Sequence, residues 1–317
     1  MKKYRWGIIG TGRIAHTFAQ ALVGCEDAEL YAVASRTKEK AEVFAGEFSA
    51  QAAYGSYEEL AADEKVDVVY IATPMSSHYS DTMLCLRHGR NVLCEKSAAM
   101  NTKELEEMIA FAKSKGLFFM EAMWMKCRPA YLKALEWVRS GRIGKVEYIK
   151  ADFCNIVKYD ANDRLFAPSC GGGAMLDLAV YPLTLVRDFM GEPDQVESFA
   201  HMSRGVDMSN TFILKKGDAY ACVNSGFETP NNNNAVISGS EGLVLFNDWF
   251  FCTDTVTLHD HDGVEIQRSV TPNEINGYEF EVREVHRCLE NGLLESTLVP
   301  HESTLGVMRL MTESGII

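Results

Sequence analysis

Trp6–Ala15 reads W-G-I-I-G-T-G-R-I-A, and the fold turns on how this stretch is understood. An apolar run ends in Gly10-Thr11-Gly12-Arg13-Ile14-Ala15, a G-x-G-x-x-A turn joining a strand to a helix that runs to about Val23. Gly10 permits the tight turn, Gly12 lets the backbone approach a pyrophosphate, and the small Ala15 lets helix and strand lie close. The N–H groups at the helix start, at the positive end of its dipole, then face the phosphates, so Gly10, Thr11, Gly12, Arg13 and Ile14 are candidate dinucleotide contacts. An ordinary glycine-rich βα turn looks the same in isolation; its place at the head of a long βα series favours the dinucleotide.

Outward from that turn, Leu30–Ala34, Val66–Ala72, Asn91–Cys94 and Leu117–Met120 are further short apolar runs separated by helical patterns. Ser56 with Glu59 and Asn101 with Glu104 have capping-box spacing, and Gly89 and Gly116 stand where helices should stop. This alternation predicts an α/β protein whose first domain, residues 1–122, is a Rossmann doubly wound parallel sheet. Beyond it the texture changes. Pro129 is placed to open a helix that Gly141 ends, Val146–Phe153 and Thr211–Leu214 alternate as strands do, and Lys215–Asp218 links the latter to Ala219–Val223 as a hairpin. Residues 123–317 are therefore expected to form an α+β domain with a large, mostly antiparallel open sheet; Asn231–Asn234 is a loop or a strand entry.

The 317 residues, 47% hydrophobic and 24% charged, suffice for two cores. The 31 basic and 44 acidic residues leave a formal charge of -13, which repels polyanions, so nucleic acid and acidic membrane surfaces are not expected partners. The 9 scattered cysteines, without a C-x-x-C pair, point to a reducing, cytoplasmic setting with no disulfide framework and no metal site. Gly7, Gly10 and Gly12 break the apolar start, so no signal-peptide core is expected. No apolar run reaches about 18 residues, so no membrane-spanning segment is expected either.

At the end of the second strand, where an acid usually accepts from the ribose 2′-hydroxyl, stand Ser35 and Arg36. A hydroxyl and a guanidinium suit a 2′-phosphate, which favours NADP over NAD; the plain alternative is a solvated Arg36. Cofactor sites of this fold lie beyond the carboxyl ends of the strands, where the chain offers Thr73-Pro74 and Glu95-Lys96. Lys96 can bind a substrate oxygen there, although alone it reads better as a surface lysine paired with Glu95. Cys94 reads as an apolar strand residue, not a nucleophile. In Gly171–Pro182, G-G-G-A-M-L-D-L-A-V-Y-P, three glycines feed a helix on which Asp177 and Tyr181 share a face. An acid and a phenol so placed suit hydride transfer, in which a hydroxyl proton moves as hydride leaves carbon; a capped amphipathic helix with a packed tyrosine fits equally well. Pro182 is expected to bend this helix just after Tyr181.

Together, the glycine turn, Ala34-Ser35-Arg36, Tyr54–Leu60, Asp67–Pro74 with His78, Val92–Lys96 and the Gly171–Pro182 block resemble the glucose-fructose oxidoreductase and inositol dehydrogenase family, Gfo/Idh/MocA. The likeness covers essentially the whole chain. Glu121-Ala122-Met123-Trp124, and a tyrosine at 181 where many members carry histidine, look most like the branch of dimeric dihydrodiol dehydrogenase and NADP-dependent xylose dehydrogenases. The resemblance implies that Lys96 is the substrate-binding lysine of the E-K-P motif, Tyr181 the acid/base, Asp177 the orienting acid and Trp124 a wall of the cleft. Arg128, Arg164 and Phe166 are further substrate candidates, and His78 is placed on the cofactor side with Thr73, Pro74 and Glu95. A protonated Lys96 near Tyr181 would favour the phenolate, drawing down a pKa that starts at about 10.

The resemblance further implies a sugar, polyol or diol substrate, and a homodimer or higher homo-oligomer built through the open sheet of the second domain. An aromatic trans-diol would suit a cleft lined by Trp124, Met123 and Phe166. The chain departs from the family at Ser97, which replaces the proline of E-K-P, at Leu178-Ala179, where glycine is usual, and at Met311–Ile317, short of the longer C-terminal helix expected. The missing proline at Ser97 keeps a second function in view: a regulator of the same fold that binds the cofactor without turnover.

Overall fold

The computed structural model describes residues 3–247 and 249–317. In chain order the first elements are β1 (Tyr4–Ile9), α1 (Arg13–Gly24), β2 (Ala28–Ala34), α2 (Lys38–Phe48), β3 (Ala52–Tyr54), α3 (Tyr57–Ala62), β4 (Val68–Ile71), α4 (His78–Arg87), β5 (Asn91–Glu95), α5 (Thr102–Lys115) and β6 (Phe119–Ala122). The six strands form one parallel sheet in the order β3-β2-β1-β4-β5-β6, the Rossmann order. Val68, Val69, Tyr70 and Ile71 are all buried, as a strand covered on both faces requires.

The helix signals act as their spacing predicts. Ser56 Oγ accepts from Glu59 N at 3.2 Å and Asn101 Oδ1 from Glu104 N at 3.0 Å, while Gly116 ends α5 in the left-handed region. Strand β3 escapes the sequence pattern because it is three residues long and only half-buried.

The rest of the chain forms α6 (Pro129–Arg139), β7 (Val146–Cys154), α7 (Val180–Met190), β8 (Gln195–Ser203), β9 (Val206–Lys216), β10 (Ala219–Gly226), β11 (Ala235–Gly239), β12 (Gly242–Phe246), β13 (Thr255–Asp260), β14 (Glu265–Val270), α8 (Glu279–Glu290) and α9 (His301–Glu313). Eight strands make the second sheet, ordered β14-β13-β12-β11-β7-β10-β9-β8, in which only the β7–β10 pair is parallel. The β9–β10 hairpin is tighter than expected: the strands pair up to Lys216 and Ala219, leaving Gly217-Asp218 as the turn.

Two compact units result, Met1–Trp124 with Asn273–His301, and Met125–Pro272 with Glu302–Ile317. A single cut after residue 122 does not describe this division, because α8 returns to the first core. Val282, Val285 and Cys288 on α8 are fully buried, Trp6 Nε1 donates to His286 Nε2 at 3.0 Å, and His286 Nδ1 donates to Asp27 Oδ2 at 2.7 Å. The Glu279 carboxylate accepts from four successive amides, Glu274 to Gly277, and so seats the loop that enters α8.

The helix after the three glycines also differs from expectation. It carries a π turn over Met175–Ala179, just before Tyr181, and Pro182 follows in the continuous helix of α7. The helical stretch Pro168–Met190 is long and apolar enough to cross a membrane, but 78% of its apolar window is buried as core of the second unit.

Candidate active site

In the first unit, β1 delivers the glycine turn to the carboxyl edge of the sheet. Gly10 has φ +99°, and a Cβ there would lie 2.7 Å from the Ala72 carbonyl oxygen, so no other residue fits. Gly12 is different: a Cβ would meet nothing within 4 Å, and its φ of −82° is open to any residue. It caps α1 without a side-chain hydrogen bond, so a side-chain cap does not take up the amides at the helix start. Open volume over a helix start is a cradle that fits a pyrophosphate. Thr11 Oγ1 lies 3.5 Å from the buried Ser35, whose N–H donates to Tyr54 O at 3.2 Å, and the neighbouring Arg36 side chain is exposed. β3 thus sets the turn that carries Ser35 and Arg36.

Thr73 and Pro74 follow β4. Thr73 Oγ1 donates to the buried Asp81 at 2.7 Å, and burial pushes that acid above its ordinary range. His78 braces the two strand ends: Nδ1 is 2.9 Å from Ser97 O and Nε2 2.9 Å from Thr73 O. Glu95 is buried, and it accepts from the Tyr70 hydroxyl and from Lys96 N at 3.3 Å. Burial and the charge of Glu95 hold Glu281 on α8 well above the carboxylate range, and neither Glu281 oxygen meets a hydrogen-bond partner among the described residues. The Lys96–Ser97 peptide bond is cis. Burial pushes the Cys94 thiol far up, as a strand residue and not a nucleophile. Trp124 stacks on Tyr278, centroids 4.4 Å apart.

In the second unit the π turn carries Asp177, whose Oδ1 is 3.3 Å from Arg164 Nη2, and α7 opens with the buried Tyr181. The rings of Phe153, at 5.5 Å, and Phe251, at 5.1 Å, meet the phenol, and they stack on each other at 4.1 Å. Trp249, 45% exposed, lies edge-on to Phe251 at 5.8 Å. Phe166 packs against Tyr159 and Phe227. Arg128 is buried and donates to Cys252 O at 2.7 Å, which anchors the turn bearing Phe251. Asn233, from the asparagine tract, anchors the same region: its Oδ1 accepts from Cys154 N at 2.7 Å and its carbonyl from Phe250 N at 2.8 Å.

Several of these residues carry no signal in the sequence. Phe153, Phe251, Trp249, Tyr278 and Glu281 sit in unremarkable apolar or amphipathic runs. Glu121 is quoted in a motif, but only the fold gives it a contact, accepting from Ala98 N at 3.0 Å in the loop after Lys96.

Residues 4–123 match the GFO/IDH/MocA oxidoreductase family with an NAD-binding Rossmann fold, and residues 131–245 match the C-terminal domain of that family. The trans-1,2-dihydrobenzene-1,2-diol dehydrogenase of Danio rerio is 35% identical over 323 residues, covering 98% of this chain and 95% of the relative. The enzyme of the same name from Homo sapiens is 33% identical over 310 residues, covering 93% and 91%. Among solved structures, a 3-ketoreductase from Actinomadura kijaniata in complex with NADP and TDP-benzene has 25% identity and a TM-score of 0.87, covering 98% of this chain and 96% of that one. Sequence, sheet order and glycine turn agree: the chain belongs to the Gfo/Idh/MocA oxidoreductase family, in the dihydrodiol dehydrogenase branch.

Proposed function

We propose that this chain is an NADP-dependent dehydrogenase that oxidises a CH–OH group of a cyclic diol, polyol or sugar, or reduces the matching carbonyl. The observation that carries the reading is Tyr181 at the head of α7, a proton-carrying phenol faced by the rings of Phe153 and Phe251. Such surroundings suit a ring-shaped substrate with an apolar face, and the names of the two dehydrogenase relatives point the same way.

Bound NADP supplies the hydride acceptor or donor at its nicotinamide. Tyr181 takes the hydroxyl proton during oxidation and returns it during reduction, Lys96 is the substrate-binding lysine, and Asp177, steadied by Arg164, orients the substrate. Gly10, Thr11, Gly12, Arg13 and Ile14 hold the pyrophosphate, Ser35 and Arg36 the 2′-phosphate, and Thr73, Pro74, His78 and Glu95 shape the nicotinamide side. Trp124 is a substrate wall. The domains are assigned as a cofactor-binding first unit and a substrate-binding second unit.

We also infer a homodimer through the outer face of the eight-stranded sheet. Phe199, Ile213 and Tyr220 on adjacent β8, β9 and β10 share that face and are 64%, 44% and 52% exposed, opposite the buried Phe212, Leu214 and Ala221. Ile213→Lys should halve the mass seen in sedimentation if this face pairs. The 9 scattered cysteines support a reducing, cytoplasmic setting.

The test follows nicotinamide absorbance while the protein, with NADP or NAD, meets aromatic trans-diols, aldoses, inositols and linear polyols. Reduction of NADP with a cyclic diol or sugar is expected. Tight NADP binding with no turnover across the panel would overturn the enzyme reading in favour of the regulator.

A further inference from the structure

Asp207, on β9, is 1% exposed and presents its carboxylate to the start of the helix that bears Asp177 and Tyr181. Oδ2 accepts from Met175 N at 2.7 Å and from Asn210 Nδ2 at 2.7 Å, and the Ala174 amide also donates to the carboxylate. Asn210 is itself held by Ser225 on β10, whose hydroxyl donates to its Oδ1 at 2.7 Å. On the other side, Gly173 has φ +116°, and a Cβ there would overlap Asp207 Oδ1. The glycine turn is open at the place the carboxylate fills. Burial pushes this acid up to about 6 against all of those donors, so it is costly to keep ionised at neutral pH.

A π turn holds one residue more per hydrogen-bonded ring than an α turn, is rarely stable alone, and needs something to hold its ends. Here the two amides that enter it are the ones Asp207 binds. Were the turn to relax to regular α-helix, residues beyond it would rotate by about 100° relative to the loop before it, the angle one α-helical residue subtends. Tyr181 is six residues beyond Met175 and would turn with them.

We infer that Asp207 is a positioning residue for turnover: by fixing the Ala174 and Met175 amides it sets the phase of the π turn, and so the direction in which Asp177 and Tyr181 point. This rests on the reading of Tyr181 as the acid/base. It predicts that losing Asp207 lowers kcat and leaves NADP binding alone, since the glycine turn of β1 belongs to the other unit.

The test is Asp207→Asn, which keeps the shape and turns one acceptor oxygen into a donor facing donors. The expected result is a fall in kcat of about 10- to 10²-fold, the scale of an angstrom-sized misplacement. The Kd for NADP, titrated without substrate, should stay within about threefold, and the 171–182 peptide should exchange its amide hydrogens at least about tenfold faster. In a Tyr181→Phe background the same substitution should cost less than about threefold, because the step it aligns is already lost. Wild-type kcat in Asp207→Asn, or the same fold-loss in both backgrounds, would overturn the inference. Full activity of Tyr181→Phe alone would instead remove the acid/base reading, a separate result. Should Asp207→Asn fail to fold, Asn210→Ala removes only one of the donors: a several-fold kcat loss with NADP binding intact supports the inference, and wild-type kcat overturns it.

Discussion

Replacing Gly12 by alanine adds one methyl group where the protein has nothing within 4 Å and the backbone φ of −82° is ordinary. Folding should hardly notice. The alanine narrows the unfolded ensemble, a gain of about 0.4–1 kcal/mol, and is a poorer helix cap than glycine, a loss of about the same size. The methyl group does occupy the volume over the start of α1 that a pyrophosphate needs. Losing one amide–phosphate hydrogen bond costs about 1.5–3 kcal/mol, or about 10- to 150-fold in Kd. Gly10→Ala should behave in the opposite way. Its φ of +99° strains any side chain and its Cβ would press on the Ala72 carbonyl at 2.7 Å, so the fold should lose about 2–4 kcal/mol before any ligand is added. Calorimetric titration with NADP and a denaturant melt of the free protein separate the two. Wild-type NADP affinity in Gly12→Ala, or equal destabilisation of the two variants, would refute the reasoning.

Arg36→Ala should weaken NADP binding by about 1.5–3 kcal/mol and leave NAD nearly unchanged; equal losses for both would deny Arg36 a role at the 2′-phosphate. Tyr181→Phe should lower kcat about 10²-fold or more with little change in cofactor affinity, read by steady-state kinetics beside a binding titration. The pKa of Asp207, about 6 in the fold against 3.8 ordinarily, also fixes a sign for stability. Between those values the native state holds a proton that the unfolded chain has released, so this group's contribution improves as pH falls. Wild-type stability relative to Asp207→Asn should therefore rise by about 2–3 kcal/mol from pH 7 to pH 4, and a flat difference in denaturant melts would contradict the burial argument.

The Rossmann half of this protein could be read from its glycine turn and the βα series behind it because their physics is local. A strand, a glycine that must take φ +99° and a helix start all fall within Tyr4–Gly24, and the buried runs of β1, β2, β4, β5 and β6 are continuous in the chain. Caps and turns are equally local, so Ser56, Asn101, Pro129 and Gly116 act where their spacing says.

What escaped depends on pairings across long stretches of chain. The amphipathic pattern of α8 says that one face is buried, but not in which core; Trp6 and Asp27, more than 250 residues earlier, answer that through His286. The surroundings of Tyr181 come from β7 and from the turn at Phe251, and the start of its helix is held by Asp207, 32 residues beyond Met175. A residue type names the chemistry it can do, and local periodicity names the element it sits in. Which groups surround it, how buried it is and which way it points come only when distant segments close around it, since burial and hydrogen bonding are properties of the packed chain.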